Sequence, residues 1–546
     1  MQKWQKWTTA AVLVLAIGAG FAVTGHSSSS APKKDSVLNY SLDGDVQTLD
    51  ISKSVDQYST TIIGNTESNL LRLNAKGDPV PDLAKSYSVS SDGLTYTVQL
   101  RSGLKWSDGS ALTAKDFVYS WQRLADPKTG SEYAYLTSGV KNADDIMAGK
   151  KPVSSLGVSA KGNTLTFKLE KPMQQFKYLL SFAQLMPQKE SFVQSEGSKY
   201  GTSAKEQIYS GPYKLVGWTG TNESFKIVKN PNYWDAKNVK TKQVNWQVIK
   251  NAETGVQLYK QGKLDRAKIY GTPEIYEANK NNKAATTTPL AVASYLEYNQ
   301  ASNPYLQNEK IRQALNLATN RKTLASQASG NTRYAATGLV PKNLVKAANG
   351  EDLSTYINPH YQYDTDQAKK LFKKGLQEVN KGKMTVTIET DADAVVSKNT
   401  VDFLKQSWES TFGSDITVNE KIVPIKQRMQ DASNGNFDIT LTNWTGDYQD
   451  GVSYYNMFKD PTTGTNNGKF KNQAFTDAVN KAENQDANNA SARDNDFKQA
   501  ELALKDQANL NPLYSWKRII LNRPSVKNVV VNPTGLQLDL THAYRE

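Results

Sequence analysis

From Lys383 to Trp444 the chain alternates between two hydrophobic periods, and no other feature restricts its fold as much. In MTVTIET, Met384, Val386 and Ile388 recur at every second residue, as a strand with one buried face requires. From about Ser397 the interval lengthens to that of a helix, with Val401, Leu404, Trp408 and Phe412 on one side and Gly413 as the stop. DITVNEKIV reads as a second strand, Ile425 to Ala432 as a second helix, and FDITLTNW, with Phe437, Ile439 and Leu441, as a third strand. Strand, helix, strand, helix, strand is the order of a parallel sheet wound by crossover helices, so the fold class is α/β. Ligands of such sheets bind beyond the carboxyl ends of the strands. Here that place is Trp444-Thr445-Gly446-Asp447-Tyr448.

A chain of 546 residues is too long for one core, and two or three lobes are expected. The earlier part has a different pattern. Leu94-Thr-Tyr96-Thr-Val98-Gln-Leu100 alternates as a half-buried strand, and Leu165, Phe167 and Leu169 repeat it. Between them Thr113 and Asp116 form a capping-box pair, and Phe117, Trp121 and Leu124 line one helix face until Asp126-Pro127 ends it. The Asn/Ala-rich stretch near residues 484–491 reads as a solvated helix or loop.

Composition removes several kinds of chemistry. With no cysteine there is no disulfide, thiolate nucleophile or thiolate metal site, and His26, His360 and His542 lie too far apart for a local metal motif. No phosphate loop, dinucleotide fingerprint, zinc pair or nucleophile elbow is present. Acid pairs such as Asp144-Asp145 read as solvated faces, so no enzyme, metal or cofactor is expected. The formal charge of +13 comes from 66 Lys+Arg against 53 Asp+Glu, interspersed and without a basic run, which argues against nucleic acid and for a place beside an anionic envelope. Lys3, Lys6 and the apolar run Ala10 to Val23 read as an export signal over residues 1–25, followed by a flexible tether over 26–36.

One long stretch carries a family resemblance. Pro81-Asp82-Leu83-Ala84-Lys85-Ser86-Tyr87, Leu94 to Arg101, Leu104-Lys105-Trp106-Ser107-Asp108-Gly109-Ser110 and Leu112 to Arg123 closely resemble the signature of the extracellular oligopeptide-binding proteins of ABC importers. Ser210-Gly211-Pro212-Tyr213, Asn230-Pro231-Asn232-Tyr233-Trp234 and Glu309 to Leu315 extend the resemblance to the whole exported chain. It implies a periplasmic-binding-protein-like type II fold of two α/β lobes joined by a hinge, with an extra domain inserted in the first. Carried over, lobe I is 37–67 with 195–290 and 509–546, the inserted domain II is 68–194, and lobe III is 291–508. The implied function is capture of oligopeptides and their delivery to the membrane permease subunits of the importer, by a protein expected to be a monomer.

The resemblance also implies site residues. Its motif of Trp, two residues, Asp and Tyr matches Trp444 to Tyr448, which gives Asp447 the peptide's ammonium group. Asn443 and Thr445 are expected to offer backbone groups and Trp444 to wall the first side-chain pocket, while Tyr133, Trp516 and Tyr514 fall where ligand-facing aromatics stand and Tyr58 follows the first strand. The chain also departs from the pattern. Ala432 and Leu441 replace arginines that neutralise a short peptide's carboxylate, leaving Arg428 a turn away as a substitute, and Ile425 replaces a tryptophan. The amine end is therefore expected to be read more strictly than the carboxylate end. In the family's lipidated members a cysteine stands where this chain has His26, whose imidazole cannot form the thioether. Two alternatives remain: an oligosaccharide or other small solute on the same fold, and a surface adhesin or peptide-pheromone receptor.

Overall fold

The computed structural model describes residues 37–269, 273–392, 394–461 and 465–546. The expected export signal, the tether and His26 lie outside the described residues.

The alternation of 383–444 folds as a parallel sheet. Met384–Asp391 pairs in parallel with Ile416–Val423 on one side, Met384 opposite Ile416 and Val386 opposite Val418, and with Ile439–Thr445 on the other. Helix Val395–Phe412 buries Val401, Leu404, Trp408 and Phe412, and Gly413 ends it with a φ of 61° that an L side chain tolerates poorly. The sheet is covered on both faces. Leu296, Tyr298, Val386 and Ile388 pack with Leu404 and Trp408 on one side. Ala293 and Tyr295 pack with Val479, Phe497 and Leu504 on the other, where the Asn/Ala-rich stretch leads into helix Ala490–Asp506.

Two long strands run out of this lobe. Ala285–Tyr298 and Leu510–Asn522 pair antiparallel from Glu297 opposite Leu510 to Ala285 opposite Leu521. On its outer edge Ala285–Tyr298 carries Ile439–Thr445 near one end, and on its own outer edge Leu510–Asn522 carries Arg266–Ile269 near the other. The ladder between the long strands is interrupted from Pro289 to Ala293, where proline has no N–H to donate. Beyond Arg266–Ile269, Asp265 joins the sheet to a neighbouring one: its N–H donates to the Asn39 carbonyl and its carboxylate accepts from the Asn39 N–H. That neighbouring sheet has the order Val37–Leu42, Gln243–Val248, Ser224–Lys229, Tyr213–Val216, over a core that includes Trp246 and Tyr213.

A third core belongs to the signature region. Thr95–Leu100 and Thr164–Lys168 pair antiparallel with Tyr96 opposite Phe167 and Val98 opposite Leu165, so the apolar residues of both share a face. Helix Ala114–Ala125 lays Phe117, Trp121 and Leu124 on that face, with the Trp121 ring 4.9 Å from Phe167. Asp116 closes its start, accepting from the Thr113 N–H at 2.7 Å and its hydroxyl at 3.0 Å. The expected core residues Trp106 and Trp121 are both fully buried.

Candidate ligand-binding site

A cavity of about 790 Å³ opens where the three cores meet. Its lining includes the loop after strand Ile439–Thr445, the start of helix Val395–Phe412, the start of helix Gln57–Thr66, and Tyr133 with the residues around Ala183 from the signature region. The interrupted middle of the long strands, at Leu290, Val292 and Trp516, adds a further wall. The site therefore lies beyond the carboxyl ends of Met384–Asp391 and Ile439–Thr445, as the topology requires.

Asp447 is the acid at its centre. Strand Ile439–Thr445 delivers it, and two contacts hold the turn: the Asp447 N–H donates to Ser453 Oγ at 3.0 Å and the Gly446 N–H to the Ala291 carbonyl at 2.7 Å. Its carboxylate accepts one hydrogen bond, from Tyr135 Oη at 3.1 Å, and no cation pairs with it among the described residues. Burial raises its pKa to about 6, against a smaller lowering by the Tyr135 hydroxyl. A desolvated carboxylate without a counter-charge is suited to receive a cation from the cavity.

Gly446 is required here by space alone. A Cβ on it would stand 2.3 Å from Tyr454 Oη, and that buried hydroxyl donates to the same Ala291 carbonyl. Gly446→Ala must push the turn or the tyrosine aside, at about 1–3 kcal/mol for overpacking. A thermal-melt comparison should show a lowered transition, and ligand titration a loss of affinity through a displaced Asp447.

The aromatic wall is built by polar contacts between strands. Trp516 Nε1 donates to Ser294 Oγ at 2.9 Å, which donates to Asn443 Oδ1 at 2.5 Å, so Asn443 acts on the cavity by positioning Trp516. The Arg333 guanidinium lies 3.8 Å above the Trp516 ring. Tyr133 stacks on Tyr135 at 5.7 Å between centroids. Tyr58 lines the cavity from the start of helix Gln57–Thr66 and Thr445 from the rim.

Thus Asp447, Thr445, Tyr133, Trp516 and Tyr58 come together, and three expected residues do not line the cavity. Tyr514 points to the same side of its strand as Trp516, but there helix Val395–Phe412 covers it, and its hydroxyl meets Thr400 Oγ1 at 3.0 Å. Trp444 alternates away into the core of Tyr454 and Phe497, its Nε1 donating to the Ser453 carbonyl at 2.7 Å. Asn443 contributes only through Ser294. Arg428 is not a free substitute for the missing arginines, because it is buried against Asp391 at 2.5 Å. Ala432 and Leu441 are themselves buried.

Several residues escaped sequence reading. Tyr135 is two residues beyond Tyr133 in the same motif, and only the meeting of two cores brings it to Asp447. Arg333 stands on the short strand Arg333–Ala335, opposite Trp516, with no local pattern to mark it. Arg266 and Lys268 do carry a sequence signal, charges that alternate with the apolar residues of a short strand. One backbone feature was equally hidden: Ile439–Thr445 pairs with Met384–Asp391 only at Ile439 and Thr440, leaving that edge of Leu441–Thr445 without a ladder partner among the described residues. The described residues contain no group of three His, Asp or Glu able to hold a metal.

Comparison with known proteins gives consistent results. Residues 78–466 match the bacterial extracellular solute-binding proteins, family 5 middle region. The chain is 42% identical over 542 residues to a dipeptide-binding protein of Lactococcus lactis subsp. cremoris, covering 96% of this chain and 97% of the relative. Among solved structures, peptide-bound OppA of Listeria monocytogenes superposes with a TM-score of 0.77 at 31% identity, over 94% of this chain and 99% of that one. The substrate-binding domain of an oligopeptide ABC transporter from Bacillus anthracis superposes with a TM-score of 0.78 at 32% identity, over 94% and 99%.

Proposed function

Because this chain belongs to the bacterial extracellular solute-binding proteins of family 5, we propose that it captures oligopeptides in extended form between its lobes and delivers them to the permease of an ABC importer. It is a binding protein and not an enzyme. The observation that carries the peptide reading is Asp447, a desolvated carboxylate that pairs with no cation among the described residues, beside a strand edge that is open among them. The first accepts an ammonium group through a charge-assisted hydrogen bond, and the second accepts a peptide backbone by strand addition. These are the two features that all peptides with a free amino end share. The aromatic wall supplies area without a fixed side-chain requirement.

We place the lobes where the resemblance implies them, 37–67 with 195–290 and 509–546, then 68–194, then 291–508. The ladder break between Pro289 and Ala293 supports a hinge in the long strands that connect the first and last of them. The protein works as a monomer outside the cytoplasmic membrane, without nucleic acid. Its excess of positive charge, and not a lipid on His26, holds it near the envelope. Among the described residues no helix is long and apolar enough to cross a membrane.

Calorimetric titration with free-amine peptides of about two to twelve residues, set against maltooligosaccharides, tests the reading. Saturable binding of peptides is the expected result. Binding of sugars with no peptide bound would overturn it. Within the peptide series, N-acetylation should weaken binding more than C-amidation, because the positions of the missing arginines hold Ala432 and Leu441 and Arg428 is engaged by Asp391. Equal losses from the two modifications would refute that order.

A further inference from the structure

At the base of the cavity one sheet face carries more positive charge than the acids near it balance. Arg266 and Lys268 stand two residues apart on strand Arg266–Ile269 and so share a face. Ile520 is opposite Lys268, which brings Arg518 to the same face, diagonally beside Lys268. Among the described residues a single carboxylate answers these three cations, that of Asp43, which accepts from Lys268. Asp265, next to Arg266 in sequence, is turned away to Arg545, with both oxygens at 2.7 Å from Nη2.

Among the described residues the two arginines meet no anion in a salt bridge. Arg518 donates to the neutral amide of Gln537. Arg266 is 4% exposed, and its Nε and Nη2 meet no hydrogen-bond partner among the described residues. Burial, with the nearby Arg266 charge, draws the Arg518 pKa down to about 9, and burial lowers that of Arg266. An unpaired buried charge is destabilising, and so are buried donors with nothing to donate to.

Arg266, Lys268 and Arg518 line a small chamber of about 30 Å³ together with Ser41, Tyr58 and Thr61. That is room for one small polar group. The chamber and the main cavity share Tyr58, Lys268, Arg518 and Gln537 in their walls, so a group projecting from the cavity can enter it.

We infer that Arg266, Lys268 and Arg518 form an oxyanion subsite that takes the carboxylate of an acidic residue in a peptide held in the cavity, an inference that rests on the peptide reading. A carboxylate has the size for the chamber, and its paired oxygens match the fork of an arginine. Its charge would balance three cations that now share one acid. The protein would then select acidic peptides by the relief of a charge imbalance already built into the ligand-free fold.

The test compares Ala-Glu-Ala with Ala-Gln-Ala by calorimetry on wild type, Arg266→Met and Arg518→Gln, with thermal melts of the ligand-free proteins in sodium chloride and in sodium phosphate. Wild type should bind the glutamate peptide at least about tenfold more tightly, and each variant should bring the two peptides within about twofold; Arg266→Met, which changes no residue of the main cavity wall, should also keep its affinity for Ala-Gln-Ala. Arg266→Met should melt a few degrees higher than wild type, since it removes an unpaired buried charge. Equal binding of the two peptides by wild type would overturn the subsite and leave the peptide reading intact. Failure of both peptides, and of the wider series above, would overturn the peptide reading and this inference with it. Stabilisation of wild type by phosphate, lost in the variants and without any glutamate preference, would make the cluster a site for free anions and overturn the assignment to peptides.

Discussion

Asp447→Ala is expected to weaken the binding of a free-amine tripeptide by about 30-fold or more. Truncating one partner of a desolvated, hydrogen-bonded charge pair costs about 2–5 kcal/mol, because the other charge stays buried and unpaired, and each 1.4 kcal/mol is tenfold in affinity. The N-acetylated copy of the same peptide should bind wild type and variant with similar weakness, since neither complex contains the ammonium–carboxylate pair. Calorimetry on the four combinations reads the coupling directly. If wild type binds both peptides equally well, Asp447 does not receive the amine.

The same residue sets a pH dependence. Burial raises the Asp447 pKa to about 6, so above that value the carboxyl is charged and below it neutral, while a peptide's α-amine keeps its proton until about pH 8. Affinity should be highest near pH 7, fall toward tenfold per pH unit below about 6, and fall again above about 8 as the amine loses its proton. For the ligand-free fold the sign is reversed. A raised carboxyl pKa favours the folded state at low pH, and that contribution is lost as pH rises from the ordinary carboxylate value through about 6. The peptide's ammonium offsets this loss, which ties ligand capture to the electrostatics of the empty cavity.

Asp391→Ala should be strongly destabilising to the lobe of the parallel sheet. Asp391 ends strand Met384–Asp391 and meets Arg428 Nε at 2.5 Å, with both side chains 8% exposed. Removing one member of a buried pair costs about 3–5 kcal/mol, because an uncompensated charge is left behind. Urea denaturation should show the midpoint of that lobe shifted to lower concentration. The double change Asp391→Leu with Arg428→Met should recover most of the loss, as an apolar pair of similar volume needs no counter-charge. A double variant as unstable as the single one would show that the strand end, and not the charge, was damaged.

Local periodicity made most of this lobe legible. Met384, Val386 and Ile388 face one way because strand side chains alternate, and Val401, Leu404 and Trp408 share a stripe because a helix turns every 3.6 residues. Neither relation depends on the rest of the chain. Thr113 and Asp116 marked a helix start for the same reason, since a cap acts across three residues. The place of Asp447, past the carboxyl end of a parallel strand, followed from topology.

Tyr514 and Trp516 show where that reasoning stops. Two residues apart on one strand, they point to the same side. Whether that side is cavity or core depends on where helix Val395–Phe412 ends above them. Trp444 poses the same difficulty beside Asp447, with its indole in the core and the aspartate in the cavity. Arg428 shows it for charge: the sequence offers a cation near the site, and the fold places Asp391 against it, 37 residues away in sequence.

By itself the sequence determined the parallel sheet, the stripes that cover it, the absence of thiol chemistry and the position of Asp447, because each follows from interactions within a few residues or from composition. The tertiary structure alone decided which charges are paired. Asp391 with Arg428, Asp265 with Arg545 and Asp447 with Tyr135 are contacts between residues 37 to 312 positions apart, and Arg266 has no such contact for its Nε or Nη2. Coulomb and hydrogen-bond energies depend on distance and on exclusion of water, and both quantities come into being only when the lobes fold and meet.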